Sequence, residues 1–369
     1  MAEPKHFARK LPTDAEQVPI VWRYELLKHF RSWRLFGALA IVALIVALLF
    51  ALPPLTGSPY NGTDKEVKLW VTNATSQGFS DPLGHDPGIA PLNRSVIVAG
   101  TLEVFKDGVA YPDLSGLNWV FFPANGSALS SNFILFAHTA PGDNYTATYK
   151  WHQSSETFAA NFVGFATLLI IVCATFFGGD AICSEYQART GYLIFPNPIR
   201  RATLFLGKFG ASMTAGILIV GTFYGATAVL SAVSVSGLDS KFLLSFAFAL
   251  EYLMATMAIA YLISSLFKGT TGSIVLTFFL LFLILPIIDG VGSVSGFKAS
   301  WSLTFSGGVV QHILTTPYPT DSVTEFGGAG VTFHNYYADP ATAAVVMLLY
   351  ALAAAVLSMF LFRRKQMTG

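Results

Sequence analysis

Charge is scarce in this chain. Of its 369 residues only 12% are Asp, Glu, Lys or Arg, while 53% are hydrophobic; soluble globular domains carry about 25% charged residues. A sequence so poor in charge cannot maintain an ordinary water-facing surface, which excludes a soluble protein. An excess of positive charge is missing as well. The formal net charge of +1 leaves no basic face to neutralise phosphates, which excludes a nucleic-acid partner. Cysteine is nearly absent, and Cys173 and Cys183 are too few for a disulfide-rich scaffold or a metal site. Ten residues apart on one helix, they stand about 15 Å from each other, too far to bridge. The spans contain neither an H-E-x-x-H metal pattern nor paired carboxylates, which argues against an intramembrane enzyme. No G-x-x-x-x-G-K-[ST] loop occurs either. Gly207-Lys208 is followed by Phe209, and the upstream glycine position holds Ala202. The chain is therefore expected to bind no cofactor of its own.

Long uncharged runs are abundant. A membrane helix needs about 20 residues without charge, because hydrocarbon offers no partner for charged groups or open backbone. Six segments qualify: 35–55, 158–179, 209–237, 242–267, 269–288 and 341–362. The first follows a polar, basic segment (1–34) and ends at Pro53-Pro54 without a small-residue cleavage site, so it reads as a retained anchor rather than a signal peptide. The expected fold is an all-α polytopic membrane protein with six transmembrane helices and an inserted, extracellular β-sandwich-like domain.

Lys and Arg decide the orientation. Fifteen fall in the segments that share a side with the termini and seven on the other side. Leaving out the large segment 56–157, the ratio is fifteen to two. Both termini, with the tail 363–369, are expected in the cytoplasm of a multi-pass cell-membrane protein. Five Asn-x-Ser/Thr acceptors agree: Asn61, Asn73, Asn93, Asn125 and Asn144 all lie in 56–157, with none elsewhere. N-linked glycans are expected there.

Segment 56–157 reads as β structure. Alternating runs at 66–72, 95–105, 109–111, 118–122, 132–137 and 145–151 are separated by Gly, Pro, Asn and Asp clusters. Lys106-Asp107-Gly108 reads as a tight hairpin turn. His85, His138 and His152 are too irregularly spaced for a metal site. In the exterior loop 289–340, residues 299–314 place Trp301, Phe305, Val309 and Ile313 at helical spacing. They suggest a short interfacial helix, a re-entrant hairpin or an irregular cap. Near the N-terminus, residues 19–33 combine Trp22, Leu26, Phe30 and Trp33 with Arg23, Lys28 and Arg31, a pattern suited to a helix lying on membrane lipids.

The segment between the second and third spans, 180–208, is the most informative. The helix carrying Asp180 and Glu185 is expected to run out into the cytosol before Gly191 breaks it. An apolar stretch 192–195, a Pro196-Asn197-Pro198 turn and Arg200-Arg201 then lead into the next helix. Such a short exposed helix suits a cleft on a soluble partner.

Glu185, Thr190-Gly191, the apolar 192–195, Pro198-Ile199-Arg200-Arg201 and Gly207-Lys208 together resemble the loop of the type-2 ABC transporter permeases. Six spans, a large exterior domain after the first and a long exterior loop before the last are similar to that family over most of residues 20–365. The resemblance implies a coupling helix at about 184–195, with Glu185, Thr190, Gly191, Pro198, Arg200 and Arg201 forming the contact with a separate ABC ATPase subunit. ATP and Mg would be held by that subunit, and a second permease, identical or related, would complete the transporter. It also implies export. An N-glycosylated ectodomain beside such a permease suggests an archaeal cell surface. The alternative function is a membrane-anchored, glycosylated receptor or assembly scaffold without transport.

Two features lie inside the spans. Glu251 falls near the middle of the fourth, where an ionised carboxylate costs about 2.5–3.5 kcal/mol or more. It lines a substrate or proton pathway, or it is a neutral acid bonded to a neighbouring helix, near Asn161 or Tyr252. Gly221 and Gly225 form a G-x-x-x-G that lets two backbones approach, expected here within the subunit rather than at a dimer seam. The cargo is not written in the sequence.

Overall fold

The structure, a computed structural model, describes residues 13–56, 59–66, 72–73, 88–92, 96–98, 100–112, 118–123, 132–137, 139, 143–187, 200–235, 237–326 and 331–364. It is an all-α polytopic membrane protein with six apolar helices of membrane-spanning length and an inserted β domain. The six are α2 (Trp33–Leu55), α3 (Ser155–Gln187), α4 (Arg201–Ser234), α5 (Phe242–Leu266), α6 (Thr270–Ser295) and α9 (Pro340–Arg364). Two short helices, α7 (Leu303–Gly307) and α8 (Val309–His312), lie between the last two spans. The end of the bundle that carries the start of α2 and the end of α9 is called the near face, and the end beneath the β domain the far face.

Polarity in the bundle is inverted relative to a soluble core. Leu44, Leu48, Val275, Phe282, Leu349 and Val356 point outward, while Ser212, Thr227, Ser245, Thr256, Ser264 and Ser273 are buried between helices. In lipid an outward apolar side chain carries no penalty, and helix contacts favour small residues and hydrogen-bonding hydroxyls. Gly178 shows how close these contacts are: a Cβ there would come within 2.8 Å of the Ala260 Cβ.

Before the first span lies α1 (Asp14–Arg31). The Glu16 carboxylate accepts the Thr13 backbone N–H at 2.7 Å and fixes its first turn. At its end Ser32 is extended, and its hydroxyl donates to the His29 carbonyl at 2.8 Å, so the chain bends into α2. The expected apolar stripe of α1 divides. Trp22 and Leu26 are half-buried, whereas Phe30 and Trp33 are exposed beside Ile20, Tyr24 and Leu27. The helix is docked on α4: a Cβ at Gly207 would lie 2.6 Å from Val21, and the Trp22 indole donates to the Thr214 hydroxyl at 3.0 Å.

The β domain has two antiparallel sheets, ordered β1-β9-β5-β6 with β4 also on β9, and β2-β3-β8-β7. The strands are β1 (Asn61–Glu66), β2 (Thr72–Asn73), β3 (Gly88–Pro91), β4 (Val96–Ile97), β5 (Glu103–Lys106), β6 (Val109–Ala110), β7 (Trp119–Phe122), β8 (Phe133–Phe136) and β9 (Tyr145–His152). Every second residue of β9 (Tyr145, Ala147, Tyr149, Trp151) joins Ile134 and Phe136 of the other sheet in one core. The expected hairpin turn is formed: Lys106 pairs with Val109, and Asp107 and Gly108 both have positive φ, 51° and 81°. β1 and β3 escape the alternation pattern, since NGTDKE and GIAP do not alternate. A further hairpin, β10 (Ser322–Phe326) with β11 (Val331–Asn335), lies in the last loop.

Of the three forms expected for 299–314, the single interfacial helix is not the one adopted. Gly307-Gly308 splits it into α7 and α8, and Leu303, Ser306, Val309 and Val310 are fully buried, so it packs inside the bundle instead of along its surface. The Gly221/Gly225 expectation changes too. Among the described residues, nothing outside its own helix lies within 4 Å of a Cβ at either glycine, so the pair makes no close contact with them.

Candidate coupling site

The near-face end of α3 is irregular. A π-helical turn over Ala174–Gly178 widens the coil before the helix resumes at Cys183–Gln187, and such turns recur at functional sites. Here the loosened backbone is captured from four sides. Ser212 of α4 donates to the Phe177 carbonyl at 2.9 Å, and Ser273 of α6 donates to that of Gly179. Arg34 of α2 donates to the Phe176 carbonyl at 3.3 Å. Ser264 of α5 accepts from the Ile182 and Cys183 N–H groups at 2.9 and 3.1 Å. The end of α3 is thus hydrogen-bonded to four neighbouring spans.

A buried ionic cluster sits beside it. Lys208, 4% exposed, reaches Glu185 at 2.6 Å and Glu25 at 2.9 Å, and Arg34 pairs with Asp180 at 2.7 Å. The glycine before Lys208 explains the pairing. Without a side chain at 207, Val21 can lie against α4, which brings Glu25, one turn further along α1, to the lysine. Glu25, Lys28, His29, Arg34 and Asp180 line a cavity of about 230 Å³. His29 stands edge-on to Phe177 at 5.2 Å, and burial holds its imidazole down at about 4, so it is neutral near pH 7.

Asp180 and Glu185 therefore do not project into solvent as expected; they are 7% and 5% exposed and turned toward cations of α2 and α4. Arg201 opens α4 and donates to the Arg363 carbonyl at 2.9 Å, tying that helix to the end of α9. Arg200 occupies the N-cap position of α4. Thr190, Gly191 and Pro198 lie outside the described residues, as does the expected helix from 188 onward. The structure thus brings together Glu185 and Lys208, two residues of one motif, and adds Glu25, Arg34 and Asp180. Sequence reading placed Asp180 in solvent and missed Glu25 and Arg34, whose signal is charge placed close to the start of an apolar span.

Elsewhere, Glu251 is half-buried, and among the described residues no hydrogen bond or ion pair meets it. Asn61 and Asn144 are exposed. The Asn61 amide donates to the Ser234 carbonyl at 3.1 Å. Asn73 lies in β2, and Asn93 and Asn125 fall outside the described residues. Both cysteines are buried and free. Among the described residues no group of three or more His, Cys, Asp or Glu could hold a metal ion.

The family model described as ABC-2 family transporter protein matches residues 20–367, nearly the whole chain. No curated protein matches it. Six spans, a motif-bearing segment between the second and third, and no nucleotide-binding loop fit that assignment. The chain belongs to the ABC-2 transporter family, as a polytopic permease that couples to a separate ATPase.

Proposed function

We propose that the near face is cytoplasmic, that the β domain is extracellular, and that the ATPase drives export by docking on segment 184–201. Thr190, Gly191 and Pro198 form the contact in this reading, while Glu185, Arg200 and Arg201 anchor its flanks. The observation that carries it is Lys208 held between Glu185 and Glu25. The docking segment runs into α3 on one side and α4 on the other, and this lysine clamps the two together and to α1. A push on the segment then moves three helices as one body, and the hydrogen bonds around the π turn pass it to α2, α5 and α6.

Orientation rests on the Lys and Arg count and on the five acceptors, with N-linked glycans at Asn61, Asn73, Asn93, Asn125 and Asn144. The two sheets sharing one core support a β-sandwich. The exposed side of α1, with Ile20, Tyr24 and Leu27 beside Arg23 and Arg31, rests on inner-leaflet lipids. The open Gly221/Gly225 face of α4 meets a second permease subunit. Glu251, without a partner among the described residues, faces the translocation path.

Native-membrane purification should yield an ATPase whose hydrolysis the permease stimulates, with Thr190→Cys cross-linking to it. A working complex in which Thr190→Cys stays open to a water-soluble maleimide would remove the docking assignment. A protein that purifies with no ATPase would favour the scaffold alternative.

A further inference from the structure

Another carboxylate lies inside the spans, and no sequence motif points to it. Asp289 sits six residues before the far-face end of α6. Its Oδ2 accepts the Thr304 hydroxyl of α7 at 2.5 Å, and the Thr304 and Ser302 hydroxyls are 3.1 Å apart. Its Oδ1 is buried and, among the described residues, has no hydrogen-bond partner. A carboxylate oxygen shut away from water and left unpaired costs several kcal/mol unless something compensates it. The two lysines of the far-face bundle are engaged elsewhere, Lys241 with the Thr316 hydroxyl at 2.9 Å and Lys298 with Asp321 at 2.7 Å.

Tyr252 of α5 approaches the same place. It is 1% exposed, and among the described residues its hydroxyl has no hydrogen-bond partner. The tip of its ring abuts α7: a Cβ on Gly307 would meet Cε2 at 2.7 Å and Cζ at 2.9 Å. Thr304, which holds Asp289, lies three residues before Gly307 and so on the same side of that helix. Asp289 Oδ1, buried and short of a partner among the described residues, and the hydroxyl end of a buried tyrosine thus both lie against α7.

We propose that Asp289 and Tyr252, with the Thr304 hydroxyl, bind a cationic group in the far-face half of the bundle. The chemistry is a carboxylate counter-charge with neutral oxygen ligands. It suits a monovalent metal ion, whose ligands are all oxygen, or an ammonium group on the cargo, which donates to the same oxygens. Placing this site on the translocation path rests on the permease reading; cation binding itself does not.

The test uses the purified full-length chain in lipid nanodiscs with two radiolabelled probes, sodium ion and n-octylammonium. The wild type should bind one of them saturably. Asp289→Asn should weaken that affinity at least tenfold, and Tyr252→Phe several-fold. Binding of sodium alone marks an inorganic ion site, and binding of octylammonium alone marks recognition of a cargo amine. Tyr252→Phe, which removes a single oxygen, keeps the test decisive if Asp289→Asn does not fold. Saturable binding of neither probe, or wild-type affinity in the folded variants, overturns the proposal. ATPase co-purification and stimulation, measured on the same preparation, report separately on the permease reading.

Discussion

Lys208 holds the near face together because its charge is enclosed. Two carboxylates share it within 2.9 Å, and all three groups are nearly inaccessible to solvent. Removing one member of such a cluster strands the others, at about 3–5 kcal/mol. Lys208→Met should therefore lower the thermal stability of the purified permease strongly. Adding Glu25→Gln and Glu185→Gln should recover most of the loss, because a neutralised cluster no longer carries unpaired charge. If the triple variant unfolds as early as the single one, the cluster acts through shape and not charge. His29 supplies a pH signature at the same place. Its pKa falls from 6.5 to about 4, through burial first and then through Lys28 and Lys208, against Glu25 and Asp180. Between those values the unfolded chain binds the proton and the folded chain does not. The contribution is therefore full above about 6.5 and is lost as pH falls toward 4, on the order of 2 kcal/mol after solvent screening. His29→Gln should flatten the pH dependence of the unfolding midpoint between pH 6.5 and 4; an unchanged slope would show that the imidazole is not the titrating group.

At the scale of elements, the π turn of α3 turns loosened backbone into a joint. Ser264 carries two of its bonds, accepting from the N–H groups of Ile182 and Cys183. Ser264→Ala would leave both donors buried and unmatched, at about 1–3 kcal/mol each. Thermal unfolding should therefore register a loss of about 2–4 kcal/mol, while Thr222→Ala, whose exposed hydroxyl bonds only its own helix at Leu218, stays near wild type. Equal stability of the two variants would mean that the joint closes through other groups. The spans themselves were legible because an uncharged run of 20 residues has few other uses. Their ends were not: α4 begins at Arg201, eight residues before the uncharged run, because Lys208 reads as a boundary in sequence but is paired and buried in the fold. Glu185 could be singled out from its motif, yet not its role. Its partnership with Lys208 and Glu25 depends on α1 folding back onto α4, and no local pattern encodes that contact. Asp289 was passed over for the same reason, since only the packing of α7 reveals the oxygen left without a partner.

In the whole molecule, α4 is a rod of 34 residues, about 51 Å long, that meets the ionic cluster at one end and the β domain at the other. The domain is fastened at its base. Tyr60 lies between Phe50 and Phe158 and donates to the Leu49 carbonyl, Asn61 bonds Ser234, and β9 leads through Gln153 and Ser154 into α3. Everything beyond that base hangs from a single strand pair, because Asn61 at the start of β1 stands opposite His152 at the end of β9. Directly opposed residues of antiparallel strands are about 4.5–5.5 Å apart, a gap that a two-residue Asn-Gly turn spans. Replacing residues 62–151 with Asn-Gly should therefore leave a bundle that folds, because among the described residues its core (Leu169, Ile170, Phe177, Phe223, Leu253, Met347) takes nothing from the domain. That shortened protein should keep the unfolding midpoint of the parent bundle and still bring down its ATPase. If it keeps both but no longer stimulates hydrolysis in response to cargo, the domain acts in transport from outside the bundle. If it fails to fold although Tyr60 and Asn61 are intact, the domain is part of the bundle's own stability, and the division drawn at this strand pair is wrong.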